Sequence, residues 1–231
     1  MLKKVNALKA RQNFGQLVEE VYYKGDQFII ERAGKPMAAV VPLWQLEDRS
    51  QRRERLSANV QKVWRSNAKV QPIAIEKEAE GVVRAVRTRA GRKIRVVLDT
   101  NVIVGGILSE KGATVKILRA WFEDRYHLVK SRAIVEELRR VLRYAKISRG
   151  HGWSEAQVLE FVEDVMSLAI LVPGELRLAV VDEHPSDDRY LECAVEREAA
   201  YIVSGDRHLF GLGHYEGVEI LSPSAFLDLV G

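Results

Sequence analysis

The chain of 231 residues holds a single cysteine, Cys193. This rules out an internal disulfide framework and a cysteine-built zinc site, and it fits a reducing, cytoplasmic setting. No apolar run approaches the roughly 18 residues that a membrane-spanning helix needs. The N-terminus, MLKKVNALKARQNF, is basic but lacks the apolar stretch of a signal peptide. A soluble protein with no membrane partner is expected. There is no internal repeat and no low-complexity tract. His127, His151, His184, His208 and His214 show no metal-ligand spacing such as His-x₃-His, so they read as structural or surface groups.

What is present is an ordinary globular composition, 47% apolar, with a divided charge. Residues 1–94 carry 20 Lys/Arg against 10 Asp/Glu; residues 95–231 carry 16 against 22, and the total is +4. A basic half beside an acidic half points to nucleic-acid contact by the first and to docking of one on the other.

Residues 5–24 place Leu8, Phe14, Leu17, Val18, Val21 and Tyr22 at near-helical spacing, with Asn6 as N-cap. Gly25-Asp26 breaks the pattern. Residues 27–31 read as a strand, Ala33-Gly34-Lys35-Pro36 as a turn and residues 37–41 as a second strand, making a hairpin. A further helix is expected to begin at Leu43. A unit of about 48 residues buries too little to stand alone, so it is expected to dimerise. Residues 49–93 are charged and helix-tolerant, with Leu56, Val60, Val63 and Trp64 as sparse apolar anchors. That pattern suits a segment that folds against a partner surface.

From Ile94 onward the pattern is α/β. Residues 94–98, 126–129, 169–172, 201–204 and 218–221 read as strands. Residues 114–124, 131–146, 154–168, 187–198 and 223–229 read as helices. Strands alternating with helices imply an open parallel sheet. Cys193 sits on the inner face of a helix. Trp44, Trp64 and Trp121 read as packing anchors, and Trp153 lies in an expected loop.

In such sheets, ligands bind at the carboxyl ends of the strands. Two strands end in an acid, one at Asp99 and one at Asp206. Between them lie Glu136 and Glu137 on a helix, and Asp187 and Asp188 at a helix start. Carboxylates gathered at one edge repel unless a counter-charge is supplied. A hard divalent cation, Mg²⁺ or Mn²⁺, prefers such oxygen ligands and activates water beside a phosphate. A dinucleotide enzyme is disfavoured because no G-x-G-x-x-G follows the first strand. A phosphatase of the haloacid-dehalogenase kind needs a second Asp two positions after the first, where this chain has Asn101.

Four stretches carry a family resemblance. They are Val97-Leu98-Asp99-Thr100-Asn101-Val102, Ser131 to Leu142 with Glu136-Glu137-Leu138, Pro185-Ser186-Asp187-Asp188 with Leu191 and Ala194, and Ile202-Val203-Ser204-Gly205-Asp206. In order and spacing they resemble the motifs of PIN domains, and of VapC-like toxins in particular, over about 94–226. The resemblance implies a PIN-like fold and a Mg²⁺- or Mn²⁺-dependent nuclease that cuts RNA. By position it makes Asp99, Glu137, Asp187 and Asp206 the catalytic and metal-holding acids, with Asn101 and Ser204 as polar helpers. Glu136 and Asp188 are the neighbouring rivals.

The first 48 residues also resemble a family. Asn6-Ala7, Arg11-Gln12-Asn13-Phe14, Leu17-Val18 and the hairpin Phe28 to Pro42 with its Gly-Lys-Pro turn are similar to Phd/YefM antitoxins. That likeness implies a small α+β dimerisation domain that binds operator DNA, with Lys9, Arg11 and Gln12 facing the DNA, followed by a tail that wraps the toxin. The implied organisation is residues 1–48 as antitoxin domain, 49–93 as toxin-binding tail and 94–231 as PIN nuclease. The chain then reads as a toxin–antitoxin fusion, self-associating as a homodimer or higher oligomer, with toxin–antitoxin contact in cis or between chains. Fusion raises the effective concentration of an inhibitor to about millimolar. Arg84, Arg87, Arg89, Arg92 or Lys93 would reach the acidic site in place of metal or substrate. The competing expectation is a DNA-binding repressor whose PIN half is inactive or only structural.

Overall fold

The structure is a computed structural model that describes residues 2–45, 48–68, 93–181 and 184–230. It divides into two compact units, Met1–Arg49 and Ser50–Gly231. None of the described helices is long and apolar enough to cross a membrane.

The first unit opens with β1 (Leu2–Asn6), which the helical periodicity of the sequence had concealed. The Asn6 side chain accepts from Leu8 N and so caps α1 (Ala7–Gln12). A break at Asn13 separates α1 from α2 (Phe14–Lys24), which Gly25 ends in the left-handed region, φ 63°. Strands β2 (Gln27–Arg32) and β3 (Lys35–Val40) form the expected hairpin. Its turn is only Ala33-Gly34, both at positive φ, the pair of values that a tight two-residue hairpin demands. β1 joins β2 in parallel, so the sheet order is β1-β2-β3. Leu43–Gln45 is a single 3₁₀ turn rather than the start of a long helix.

The core of this unit is Ala10, Leu17, Val21 and Phe28. Four other apolar positions of the helical stripe, Leu8, Phe14, Val18 and Tyr22, remain exposed, because β1 and the break at Asn13 turn them off the sheet-facing side.

The second unit is a six-stranded sheet of order β6-β5-β4-β7-β9-β8. Its strands are β4 (Arg95–Leu98), β5 (His127–Ser131), β6 (Ile170–Val172), β7 (Tyr201–Val203), β8 (His214–Tyr215) and β9 (Val218–Leu221). All neighbouring pairs are parallel except β8–β9. Alternation along β4 sends Val96 and Leu98 into one apolar layer and Val97 into the other. The first layer is packed by α3 (Arg49–Asn67), α4 (Thr100–Leu108), α5 (Ala113–Phe122), α6 (Arg132–Leu142), α8 (Glu155–Leu168) and α11 (Pro223–Val230). The second holds α9 (Asp188–Glu196) and α10 (Arg207–Leu212). A short α7 (Ala145–His151) follows α6. The long helix read over 131–146 is therefore two, divided near Arg143, and residues 100–108 are helical although their continuous apolar run had hidden a helix.

Helix α3 is the least apolar of the long helices, yet it is built into the core. Leu56, Val60, Val63 and Trp64 follow i, i+4, i+7, i+8 spacing and are all buried. Trp64 Nε1 donates to Gly106 O at 2.8 Å, and Asn67 Nδ2 donates to Leu108 O at 2.9 Å. A Cβ on Gly106 would stand 2.7 Å from the Leu118 side chain and from Thr114 O, so glycine is required for this close approach. Asp164, fully buried on α8, pairs with Arg52 at 3.1 Å and with Arg55 at 2.5 Å. Arg53 bonds the Trp121 carbonyl and Asp124 at the end of α5. Trp121 and Cys193 are core residues, and Trp153 stacks between His151 and Phe161.

Candidate active site

β4 and β7 are neighbours, and the chain leaves them toward opposite edges of the sheet, β5 and β6 on one side and β9 on the other. Their carboxyl ends are thus the switch point at which a parallel sheet opens a crevice. Asp99 follows β4 and is 3% exposed. Its carboxylate caps α4, accepting from Asn101 N at 3.0 Å, while its own N–H donates to Val203 O at 2.9 Å. Ser204 follows β7 and is completely buried. Ser204 Oγ donates to Asp99 Oδ2 at 2.6 Å and accepts from Asp206 N at 2.9 Å. One hydroxyl therefore ties together the two strand-end acids. Asp206 in turn caps α10 by accepting from His208 N at 2.8 Å.

Helix α6 starts at a Ser131 cap and turns Glu137 toward the same edge. Glu137 Oε2 accepts from Tyr190 OH at 2.8 Å, lies 3.4 Å from Thr100 Oγ1 and pairs with Arg189 Nη1 at 3.3 Å. Glu136, one residue and about 100° away around the helix, is exposed and pairs with Arg139 one turn on. The two rivals at the third acid also part company. Asp188 Oδ1 accepts from Val180 N and Val181 N, at 3.1 and 3.0 Å, and is buried in that loop contact. Asp187 is half-buried. Burial raises its carboxyl above the ordinary value, and the negative charges of Asp206 and Asp99 raise it further.

Four residues at this edge were not singled out by sequence reasoning: Thr100, Tyr190, Arg189 and Lys130. Tyr190 OH links Thr100 and Glu137, and burial together with the charge on Asp99 holds its phenol well above the ordinary value. Lys130, at 0% exposure on β5, donates from Nζ to Leu98 O, the carbonyl just before Asp99. Burial pulls its ammonium down to about 8, against the opposing pull of Cys193, Asp99 and Glu137. The available signal was a lone lysine in the apolar strand HLVKS; strands buried on both faces rarely hold one.

The other expected site residues fall as follows. Asn101 contributes its backbone N–H to Asp99, and its side chain is exposed. His184 and His208 meet with ring centroids 4.0 Å apart and planes tilted by 56°. Lys93 pairs with Asp124, not with the acids at the strand ends. Arg84, Arg87, Arg89 and Arg92 lie outside the described residues. Lys9, Arg11 and Gln12 belong to the first unit and are exposed on α1.

Among the described residues, no three side chains of metal-binding type converge on one point. The donor set nonetheless has the chemistry that a hard divalent ion prefers, carboxylate oxygens; burial first, and then the negative charges of Asp206 and Asp99, raise the Asp187 carboxyl.

Comparison with known proteins bears on the same region. An uncharacterized protein of Methanocaldococcus jannaschii is 27% identical over 120 residues, 52% of this chain and 76% of that protein. No solved structure gives a significant match. The family model described as PIN domain matches residues 95–208, a span that contains β4 through the start of α10 and all four acids. The match supports a PIN domain at residues 95–208.

Proposed function

We propose that this chain is a ribonuclease that hydrolyses phosphodiester bonds with a divalent metal ion, Mg²⁺ or Mn²⁺, and that it carries its own antitoxin segment. The observation that carries the reading is the link at the switch point in which Ser204 Oγ donates to Asp99 and accepts from Asp206 N, so that the two strand-end acids are held at one edge of the sheet. A bound Mg²⁺ or Mn²⁺ supplies Lewis acidity toward phosphate and a water of lowered pKa. The chain's own groups do the positioning. Ser204 and Asn101 N fix the two oxygens of Asp99. Tyr190 fixes Glu137, and Asp206 is held by His208 N.

The finer reading, a VapC-like toxin fused to a Phd/YefM-like antitoxin, draws support from α3. A charged helix that buries four apolar side chains and an Arg52–Asp164 pair on the PIN layer is what a toxin-binding tail would look like. The exposed apolar residues Leu2, Phe14, Tyr22, Tyr23 and Met37 favour self-association of the first unit. Exposed Lys9, Arg11 and Gln12 favour operator DNA as its ligand, with autorepression as the consequence. The segment with Arg84, Arg87, Arg89 and Arg92 would restrain the nuclease in the resting chain.

The test is cleavage of a total RNA pool by the full chain in Mg²⁺, in Mn²⁺ and in EDTA. Replacing the four arginines with glutamine should raise cleavage, and Asp99→Asn should lower it by about a hundredfold or more. Cleavage that resists EDTA or survives Asp99→Asn would sink the mechanism. A second reading, a DNA-binding repressor with a silent PIN half, rests on the exposed basic positions of α1. It predicts operator binding that is steeply salt-dependent, with no cleavage in any metal.

A further inference from the structure

We infer that the exposed basic face of α6 and α7, with Tyr144 between them, is a track for single-stranded RNA that leads to the acidic edge. The choice of RNA rests on the ribonuclease reading above. The surface itself rests on charge, exposure and the way the two helices are joined.

Residues 138–154 hold five cations, Arg139, Arg140, Arg143, Lys146 and Arg149, and no acid, within the otherwise acidic half of the chain. Two of the five are neutralised by acids outside the run. Arg139 pairs with Glu136 at 3.7 Å, and Arg143 Nε donates to Glu155 at 3.1 Å. Arg140, Lys146 and Arg149 are exposed and form no ion pair among the described residues. Tyr144 lies between them in the chain and is 50% exposed. Arg140 follows Glu137 by three residues, so it stands about one turn along α6 and about 60° around it from that acid.

The joint between the helices is fixed. His151, buried at the end of α7, accepts from Trp153 N at Nδ1, 2.9 Å. Its hydrogen is therefore on Nε2, which donates to Leu142 O at the end of α6, 2.9 Å. A Cβ on Gly150 would stand 2.8 Å from the Leu108 side chain, so the inner side of α7 is pressed on α4. Lys146 and Arg149, three residues apart, share the outer side.

Unpaired cations in a row attract phosphates without reading sequence. An exposed ring among them offers a face on which an unpaired base stacks. A duplex keeps its base faces inside, so Tyr144 favours a single strand. Tyr144 is the sole large apolar residue exposed on α6, α7 or the turn that joins them, and a lipid surface, which needs an inserted apolar face, fits less well.

The experiment is binding of a short, fluorescently labelled oligouridylate to the full chain, read by anisotropy in EDTA over a salt series, with the fold checked by circular dichroism. On single strands the slope of log affinity against log salt changes by about 0.7 per phosphate contact, so the triple variant Arg140→Gln, Lys146→Gln, Arg149→Gln should lower it by about 2 and weaken binding about tenfold or more at low salt. Tyr144→Ala should weaken binding about fivefold or more and leave the slope unchanged. On duplex RNA of the same length Tyr144→Ala should have no effect. An unchanged slope in the triple variant, or an equal effect of Tyr144→Ala on duplex and single strand, would overturn the inference. A triple variant that loses phosphatidylglycerol vesicles but keeps its RNA affinity would assign the face to lipid and overturn it as well. Cleavage in Mg²⁺ or Mn²⁺ separates the two readings: a chain that binds RNA through this face and cuts it in neither metal sinks the ribonuclease reading and leaves the track standing.

Discussion

Replacing Leu56 with alanine tests whether α3 is part of the PIN fold or only rests on it. Leu56 has no exposed surface and lies in the same apolar layer as Val60, Val63, Trp64, Ile103, Ile107 and Leu118. A fully buried leucine cut to alanine costs about 2–5 kcal/mol, the spread reflecting how far the cavity collapses. This site sits between a helix and several others, pinned by the Trp64–Gly106 and Asn67–Leu108 bonds. Collapse should be limited and the cost about 3 kcal/mol. For a unit of this size a urea m-value of about 2 kcal/mol/M is reasonable, so the midpoint should fall by about 1.5 M. The assay is urea unfolding followed by tryptophan fluorescence, with Trp121 as the buried reporter at 1% exposure. The exposed Lys62→Ala on the same helix should stay within about 0.5 kcal/mol. A midpoint for Leu56→Ala within about 0.3 M of wild type would refute the reasoning, since it would mean that α3 is not counted in the cooperative core.

Two further predictions each concern one carboxylate. Asp164→Asn removes the buried partner of Arg52 and Arg55, and it should cost about 3–5 kcal/mol in the same urea assay; a loss below about 1 kcal/mol would contradict this reading of the pair. Asp187→Asn should stabilise the metal-free chain at neutral pH. The folded-state pKa of Asp187 is raised, so ionisation of this group opposes folding once the pH exceeds its unfolded value near 3.8. The gain should be complete above the raised value and should vanish as the pH falls through the carboxylate range. Asp187 makes no capping hydrogen bond with its side chain, so no cap is lost. Thermal melts at pH 7 and pH 3 read this directly, and equal shifts at both would contradict it.

Much of this protein was legible in the linear chain. Asp99 and Asp206 each end a short apolar run, and a parallel sheet sends such residues to its carboxyl edge whatever the details of packing. The hairpin about Ala33-Gly34-Lys35-Pro36 and the cap at Asn6 follow from local chemistry within three residues of each site. The anchors Leu56, Val60, Val63 and Trp64 announced a helix that needs a surface, because their spacing puts them on one side of an otherwise charged segment.

Other features depend on distant parts of the chain and were settled only in three dimensions. Residues 2–6 carry no strand signal of their own strength; β1 exists because β2, more than twenty residues later, offers its free edge. Glu136 and Glu137 are chemically identical, and only the placement of α6 against Tyr190 and Thr100 turns one inward and leaves the other in solvent. Asp187 and Asp188 part over a shorter range, because the loop at Val180–Val181, eight and seven residues before Asp188, offers its amides to one of them. The burial of Lys130 against the Leu98 carbonyl is decided by the pairing of β5 with β4. Periodicity and local chemistry act over a few residues and can be read from the chain. Which carboxylate meets which cation depends on contacts between elements more than thirty residues apart, and only the tertiary fold sets those.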